Sequence, residues 1–273
     1  MGSKGVRSPA VSGIYYPEEP AVLRETVRRL LSMSGRVKRR KAVGIVAPHG
    51  GLRSAGPVLG AVHASVEWPA AVVIVGPNHS GQGAPFGISV AGVWSTPLGL
   101  FPVHERLARR ILKSTPELER DDLCHRYEHA VEVQIPFLQC SVSARSFVPI
   151  ALRPCDGETA VRIGRGIADA LQKSPEPVML VASTNLTTYR SEETAARQDP
   201  AILDPILALE PETLLEVAGP DSGMCGASAA AVVLTAAKIL GAGQGHLVRY
   251  QTSAEATGVR VSVVGYAGIL LEN

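Results

Sequence analysis

Two short stretches constrain the fold of this chain more than any other feature. Val43-Gly44-Ile45-Val46-Ala47-Pro48-His49 and Val72-Val73-Ile74-Val75-Gly76-Pro77-Asn78-His79 are each an apolar, β-branched run that ends at a proline and then a histidine. Apolar runs without alternation suit strands buried on both faces, as in a parallel sheet. Proline cannot donate to the ladder and so ends the strand. Both histidines then sit just past the carboxyl ends of strands, which is the rim where open α/β sheets bind ligands. Residues 54–66 between them have helical apolar spacing (Val58, Leu59, Val62, Val66). Strand, helix and strand form a right-handed crossover that brings His49 and His79 to one edge. Two neutral imidazoles on one rim are half of a metal site; the alternative is a pair of strand-end caps.

The rest of the chain fits this frame. Further apolar strands are expected near 87–93, 146–150 and 178–182, with closing strands at 246–253 and 259–268. Helices are expected at 20–33, 103–113, 157–172, 199–209, 211–218 and 227–240. Residues 128–139 are ambiguous, because both alternation and helical spacing are present and Pro136 interrupts either. The 273 residues, 45% apolar and 19% charged, can bury a large core. No linker or repeat divides them, so 13–273 read as one domain behind a flexible lead, 1–12. The expected class is α/β, a mostly parallel central sheet with helices on both faces.

Composition also excludes. A net charge of +2 with no dense basic patch beyond Arg36–Lys41 argues against nucleic acid. No apolar run reaches the ~18 residues a membrane span needs. The Gly81–Gly83 pair lacks a third glycine and a following helix, so no nucleotide cofactor is expected. The four cysteines form no CxxC pair, and no signal peptide is apparent; a reducing cytoplasm is the expected location.

Cys225 stands at the entry to an Ala-rich helix, between Gly223 and Gly226. Backbone N–H groups at a helix start favour thiolate, the form that binds metal or attacks carbon. Against this stands a small buried cysteine of no function. With His49 and His79 it would supply two imidazoles and one thiolate and leave coordination positions open. Glu128-His129 is a second polar pair, a candidate general base or pocket wall. Arg53, four residues past His49, is a candidate for a substrate anion, and Asn78 lies beside His79 on the same rim. A metal-free alternative has Cys225 as nucleophile, a histidine as base and Asn185 orienting it.

Seven motifs in order extend this reading: Ser12-Gly13-Ile14-Tyr15-Tyr16-Pro17, Ala47-Pro48-His49-Gly50-Gly51, Gly76-Pro77-Asn78-His79, Thr96-Pro97-Leu98-Gly99, Glu128 to Phe137, Met224-Cys225-Gly226 and Val264-Gly265-Tyr266-Ala267. Together they resemble the Memo family, whose prokaryotic members are often called AmmeMemoRadiSam system protein B. The resemblance implies a fold similar to class III extradiol dioxygenases, which are nonheme iron enzymes. It implies a pocket of two histidines and a cysteine, here His49, His79 and Cys225, binding iron or copper, with zinc as a further candidate. His129 and Asn185 would be the catalytic positions. Arg53, Asn78, Glu128 and Thr188 would line the substrate pocket, for a small-molecule or peptide ligand.

The chain departs from the family pattern after strand 178–182. The usual Ser-Ser-Asp-Leu-Ser-His-Tyr is here Ser183-Thr184-Asn185-Leu186-Thr187-Thr188-Tyr189, and Leu52 and Ser54 replace aromatic residues after His49. Asn185 and Thr188 do not titrate near neutral pH, so proton transfer by an Asp and a His at those positions is lost. Redox or dioxygenase-like activity is therefore expected to be weakened. A binding protein without turnover is the competing expectation.

Overall fold

In the computed structural model, residues 5–273 are described except 34, 36, 37, 142, 220 and 221. In chain order the elements are β1 (Val6–Arg7), α1 (Pro20–Ser32), β2 (Gly44–Ala47), α2 (Gly56–Ala64), β3 (Ala71–Pro77), β4 (Phe86–Ile88), β5 (Val93–Thr96), β6 (Gly99–Pro102), α3 (Glu105–Ser114), β7 (Glu119–Arg120), α4 (Ile135–Gln139), β8 (Ser146–Leu152), α5 (Gly157–Gln172), β9 (Val178–Ser183), β10 (Thr188–Arg190), α6 (Glu192–Leu207), α7 (Pro211–Val217), α8 (Ala227–Ile239), β11 (Gln244–Thr252), α9 (Ala254–Thr257) and β12 (Val263–Glu272). Short 3₁₀ turns occupy Leu123–His125 and Glu132–Gln134.

The centre of the main sheet is four parallel strands in the order β2-β9-β3-β8. Every residue of β2 and β3 is buried, as their unbroken apolar runs require. β12 closes one side antiparallel to β2 and carries β11 as an antiparallel partner, while β4 closes the other side antiparallel to β8. The expected α/β class is thus observed, with β9 inserted between the two histidine-bearing strands. The carboxyl ends of β2, β3 and β9 still lie side by side, with Ala47 in register with Ser183 and Val75 with Ala182.

Helices cover the sheet where their apolar stripes predict. α2 is buried along almost its whole length, and α1 packs on it through Leu23, Val27 and Leu30. Gly60 makes that contact close, because a Cβ there would stand 2.3 Å from the Leu30 carbonyl oxygen. α8, Ala-rich and buried over ten consecutive residues, fills the narrow space between α5 and the sheet. No helix among the described residues is long and apolar enough to cross a membrane.

Three expectations change. The single strand at 87–93 is two strands, β4 and β5, in different sheets; Gly92 turns the chain between them at φ 104°. The helix expected at 199–209 begins seven residues earlier. Ser191 caps it by accepting the Thr194 N–H, and Pro200 and Pro205 lie inside it. The flexible lead is the third. Residues 1–4 lie outside the described residues, but Val6–Arg7 pair with Val93–Trp94. The Arg7 guanidinium lies 4.0 Å over the Trp94 ring, is paired with the buried Glu132, and donates to the His125 carbonyl. Sequence order gives no hint of this, since the partners are more than 80 positions away. Of the basic run Arg36–Lys41, positions 36 and 37 lie outside the described residues. So do Pro220 and Asp221 in the expected break at 219–223.

Candidate metal pocket

The parallel strands deliver the site. β2 ends at Pro48, placing His49 on the rim, and β3 ends at Pro77, placing His79 beside it. Their rings meet edge to face with centroids 5.1 Å apart. His129 arrives from the loop before the Glu132–Gln134 turn and stacks on His79 at 4.6 Å and 13°. Ligand nitrogens of His49, His79 and His129 all lie within 4.8 Å of one another. Cys225 stands just before α8, with its sulfur 2.8 Å from His79 Nε2. Gly223 and Gly226 adopt φ values of 72° and 89°, and a Cβ at Gly226 would crowd the Ser183 carbonyl at 3.1 Å. The flanking glycines therefore let the Cys225 backbone close on the end of β9.

Glu128 organises the pocket from below. It is 1% exposed, and its carboxylate accepts the His79 N–H, the His129 N–H, the Ala130 N–H and a bond from His79 Nδ1 at 2.8 Å. Burial alone would raise its pKa, but these donors and the neighbouring His79 outweigh that and depress it to about 2. For His79 burial opposes the charged form, but the bonds to Cys225 and Glu128 prevail and raise its pKa to about 10. His49, fully buried and facing the His79 and His129 rings, is held well below the ordinary imidazole value. It is neutral, and its Nε2 is buried without a partner among the described residues. Burial also lowers His129. Tyr15 meets the edge of His129 at 4.8 Å, and burial, with Tyr189, Glu128 and Cys225 around it, raises the Tyr15 phenol.

Asn185 joins two walls. Its Oδ1 accepts the His49 N–H at 3.0 Å, and its backbone exchanges both hydrogen bonds with Cys225. It therefore places His49 and Cys225 relative to each other and does not orient a base. The other expected pocket residues are positioned differently. The Thr188 hydroxyl donates to the Gly223 carbonyl at 2.6 Å and so braces the loop behind Cys225. Asn78 is consumed by its own turn, accepting from Ser80 and Gly81 and donating to Gln82. Arg53 is exposed, with no hydrogen bond or ion pair among the described residues. Glu128 is spent on histidines and backbone and is too buried to meet a substrate.

Sequence reasoning missed Tyr15 as a pocket wall, and missed Ser183 and Gln134 beneath His49. Tyr15 had a visible signal in its own motif. Ser183 and Gln134 had only their positions, one at the last residue of β9 and one in the ambiguous 128–139 segment.

The donor set fits a metal. The buried His49 Nε2 is a polar atom without a partner, at a place where a neutral imidazole can offer a lone pair. His79 has its far nitrogen on a carboxylate, the arrangement that commonly orients metal-binding imidazoles. A thiol completes a mixed nitrogen and sulfur set.

These features define a class: an α/β protein with a histidine-rich, metal-competent pocket at the carboxyl rim of parallel strands. The Memo-like protein family model matches residues 7–270. A MEMO1 family protein from Methanothermobacter thermautotrophicus is 34% identical over 277 residues, covering 96% of this chain and 99% of its own. Another, from Methanococcoides burtonii, is 36% identical over 271 residues, covering 98% of this chain and 100% of its own. The chain belongs to the Memo family. In fold it is similar to an uncharacterised Escherichia coli K12 protein of known crystal structure, with a TM-score of 0.51 and 15% identity over 83% of this chain and 99% of that one.

Proposed function

We propose that the pocket holds a redox-active transition metal, iron or copper, on His49, His79 and Cys225, with His129 beside the metal as the group that handles protons. The orphaned His49 Nε2 carries this reading. His129 belongs to the imidazole cluster, but its ring stacks nearly parallel on His79. An imidazole binds metal through its in-plane lone pair, and two stacked rings do not share a point in both planes. His49, at 77° to His79, does not have that restriction. Cys225 already contacts the His79 nitrogen through which a ligand bond would form. A metal bound here would supply Lewis acidity and one-electron chemistry. The chain's own residues would orient it through Glu128 and Asn185, exclude water on the buried His49 side and leave access past His79, whose side chain is 33% exposed.

Turnover on a small-molecule or peptide ligand is expected to be weak. Asn185 and Thr188 do not titrate, and both side chains are committed to backbone partners. A general base typically contributes ~10²–10⁴-fold in rate, and with those two positions silent His129 is left to supply it. The test is metal titration under anaerobic conditions. His49→Ala and Cys225→Ala should lose stoichiometric uptake, and His129→Ala should keep it. Loss in His129→Ala with full uptake by Cys225→Ala would replace this ligand set by three imidazoles.

A second reading has its own observation. Cys225 Sγ, His79 Nε2 and Nδ1, and Glu128 Oε1 form a continuous line with 2.8 Å steps, the order of nucleophile, base and orienting carboxylate. Here Glu128, not Asn185, would orient the base. Rapid alkylation of Cys225 at neutral pH, abolished by His79→Ala in rigorously metal-free protein, would support it; slow alkylation would dismiss it.

A further inference from the structure

We propose that Ser183 is a positioning residue that locks His49 in the tautomer with its proton on Nδ1, so that the Nε2 lone pair faces the pocket. The metal consequence rests on His49 being a ligand, as argued above; the tautomer itself does not.

Hydrogens can be counted through a fully buried chain of side chains. It starts at Gln134, whose amide nitrogen lies 2.8 Å from the Pro48 carbonyl oxygen and 3.0 Å from Ser183 Oγ. A carbonyl only accepts, so the Gln134 NH₂ must face Pro48; the flipped amide would set two carbonyl oxygens together. Its Oε1 therefore points to His63 Nε2 at 3.0 Å, and that nitrogen carries the His63 proton. His63, 2% exposed and stacked on Trp68 at 5.0 Å, in turn holds the amide in this orientation.

Ser183 has one hydroxyl hydrogen. Its Oγ lies 2.7 Å from the Ala130 carbonyl oxygen, which again only accepts, so the hydrogen goes there. One lone pair accepts from Gln134. The other faces His49 Nδ1 at 3.4 Å, and with no hydrogen left to give, Ser183 can only accept from it. Nδ1 is then the protonated nitrogen of the neutral ring, and Nε2 is the atom left unpartnered. The Ser183 backbone carbonyl also bonds this ring, and with Nε2 unpartnered it adds to the same side. His49 and His63, joined by two side chains, thus carry their protons on opposite nitrogens.

Neither Ser183 nor Gln134 reaches the pocket, and nothing in their residue types marks them as functional. Partners of this kind typically tune metal affinity by ~10–100-fold.

The test is long-range ¹H–¹⁵N correlation spectroscopy of the histidine rings in metal-free protein, with His49 and His63 assigned by their loss in His49→Gln and His63→Gln. The parent should show His49 with Nδ1–H and His63 with Nε2–H. In Ser183→Ala the Nδ1–H loses the hydroxyl and keeps the backbone carbonyl of residue 183 as its acceptor, whereas a proton on Nε2 faces the pocket, so the His49 population should shift toward Nε2–H. His63 should be unchanged, because Pro48 still fixes Gln134, and this serves as the internal check that the core is intact. Co²⁺ affinity should fall at least tenfold in the same variant, and Ser183→Thr, which keeps the hydroxyl, should restore both signals. If Ser183→Ala does not fold, Ser183→Cys fills the same space with a poor acceptor and carries the same expectation. An Nε2–H His49 in the parent, or an unmoved His49 in a folded Ser183 variant, overturns the proposal. Tautomers as assigned with no metal uptake by the parent would uphold the lock and overturn the metal reading instead.

Discussion

Glu132→Gln tests how firmly the amino-terminal segment is built into this fold. Glu132 is wholly buried, and its two oxygens receive four donors: Tyr16 Oη and the Val11 N–H on Oε1, Arg7 and the Ala10 N–H on Oε2. Glutamine has almost the same shape, so no cavity forms and only the chemistry changes. The cheaper of its two orientations puts the NH₂ on the Oε1 side. Tyr16 can then turn its hydroxyl to accept, but the Val11 N–H is left without a partner, at a cost of about 1–3 kcal/mol. Arg7, with an 11% exposed side chain, keeps an oxygen but loses its counter-charge. Depriving a buried charge of its partner costs about 3–5 kcal/mol when complete, and the retained amide oxygen recovers part of that. The sum is about 3–5 kcal/mol. Urea unfolding should show this as a lower midpoint at unchanged m-value, and amide exchange at Ala10 and Val11 should accelerate in native conditions. A shift worth less than about 1 kcal/mol, with Val11 still protected, would refute the claim that this carboxylate pins the segment. Arg7 also donates to the Glu128 carbonyl, so the same anchor steadies the residue beneath His79.

Three further outcomes are expected. Glu128 has a folded pKa of about 2 against an ordinary 4.5, so in metal-free protein its contribution is complete above pH ~4.5 and lost as pH falls toward ~2, about 3 kcal/mol in all; Glu128→Gln should flatten that limb of stability against pH, and an unchanged limb would contradict the assignment. Gly60→Ala should destabilise by about 1–2 kcal/mol in urea unfolding, because overpacking against Leu30 exceeds the gain in helix propensity; a more stable variant would show that α1 and α2 part without cost. The metal-loaded parent should consume little oxygen with catechol-type substrates, and robust turnover would defeat the inference from Asn185 and Thr188.

The legible part of the fold was the part written in local pattern. Unbroken apolar runs located the four central strands, and the prolines that end two of them gave the His49 and His79 positions. Cys225 was legible through its flanking glycines, whose positive φ values the structure shows. What stayed hidden depends on distant partners. Glu132 and Arg7 look like ordinary charges until the fold buries one against the other. Residues 128–139 satisfied two periodicities because the segment is a 3₁₀ turn running into a five-residue helix with all sides buried, so no single face carries the pattern. Asn78 and Thr188 looked like pocket residues because they adjoin rim positions, yet each finds a backbone partner closer at hand.

The proposed function stands or falls with His49, His79 and Cys225 holding one metal. Anomalous diffraction at the absorption edges of iron, copper and zinc, on crystals grown without oxygen or added metal, tests it most directly. A single peak is expected, bonded to His49 Nε2 and His79 Nε2 at about 2.0–2.1 Å and to Cys225 Sγ at about 2.3 Å, with His129 outside bonding distance. A peak bound by His129 with Cys225 free, or no peak after the crystals are soaked in ferrous or cuprous ion, would contradict it.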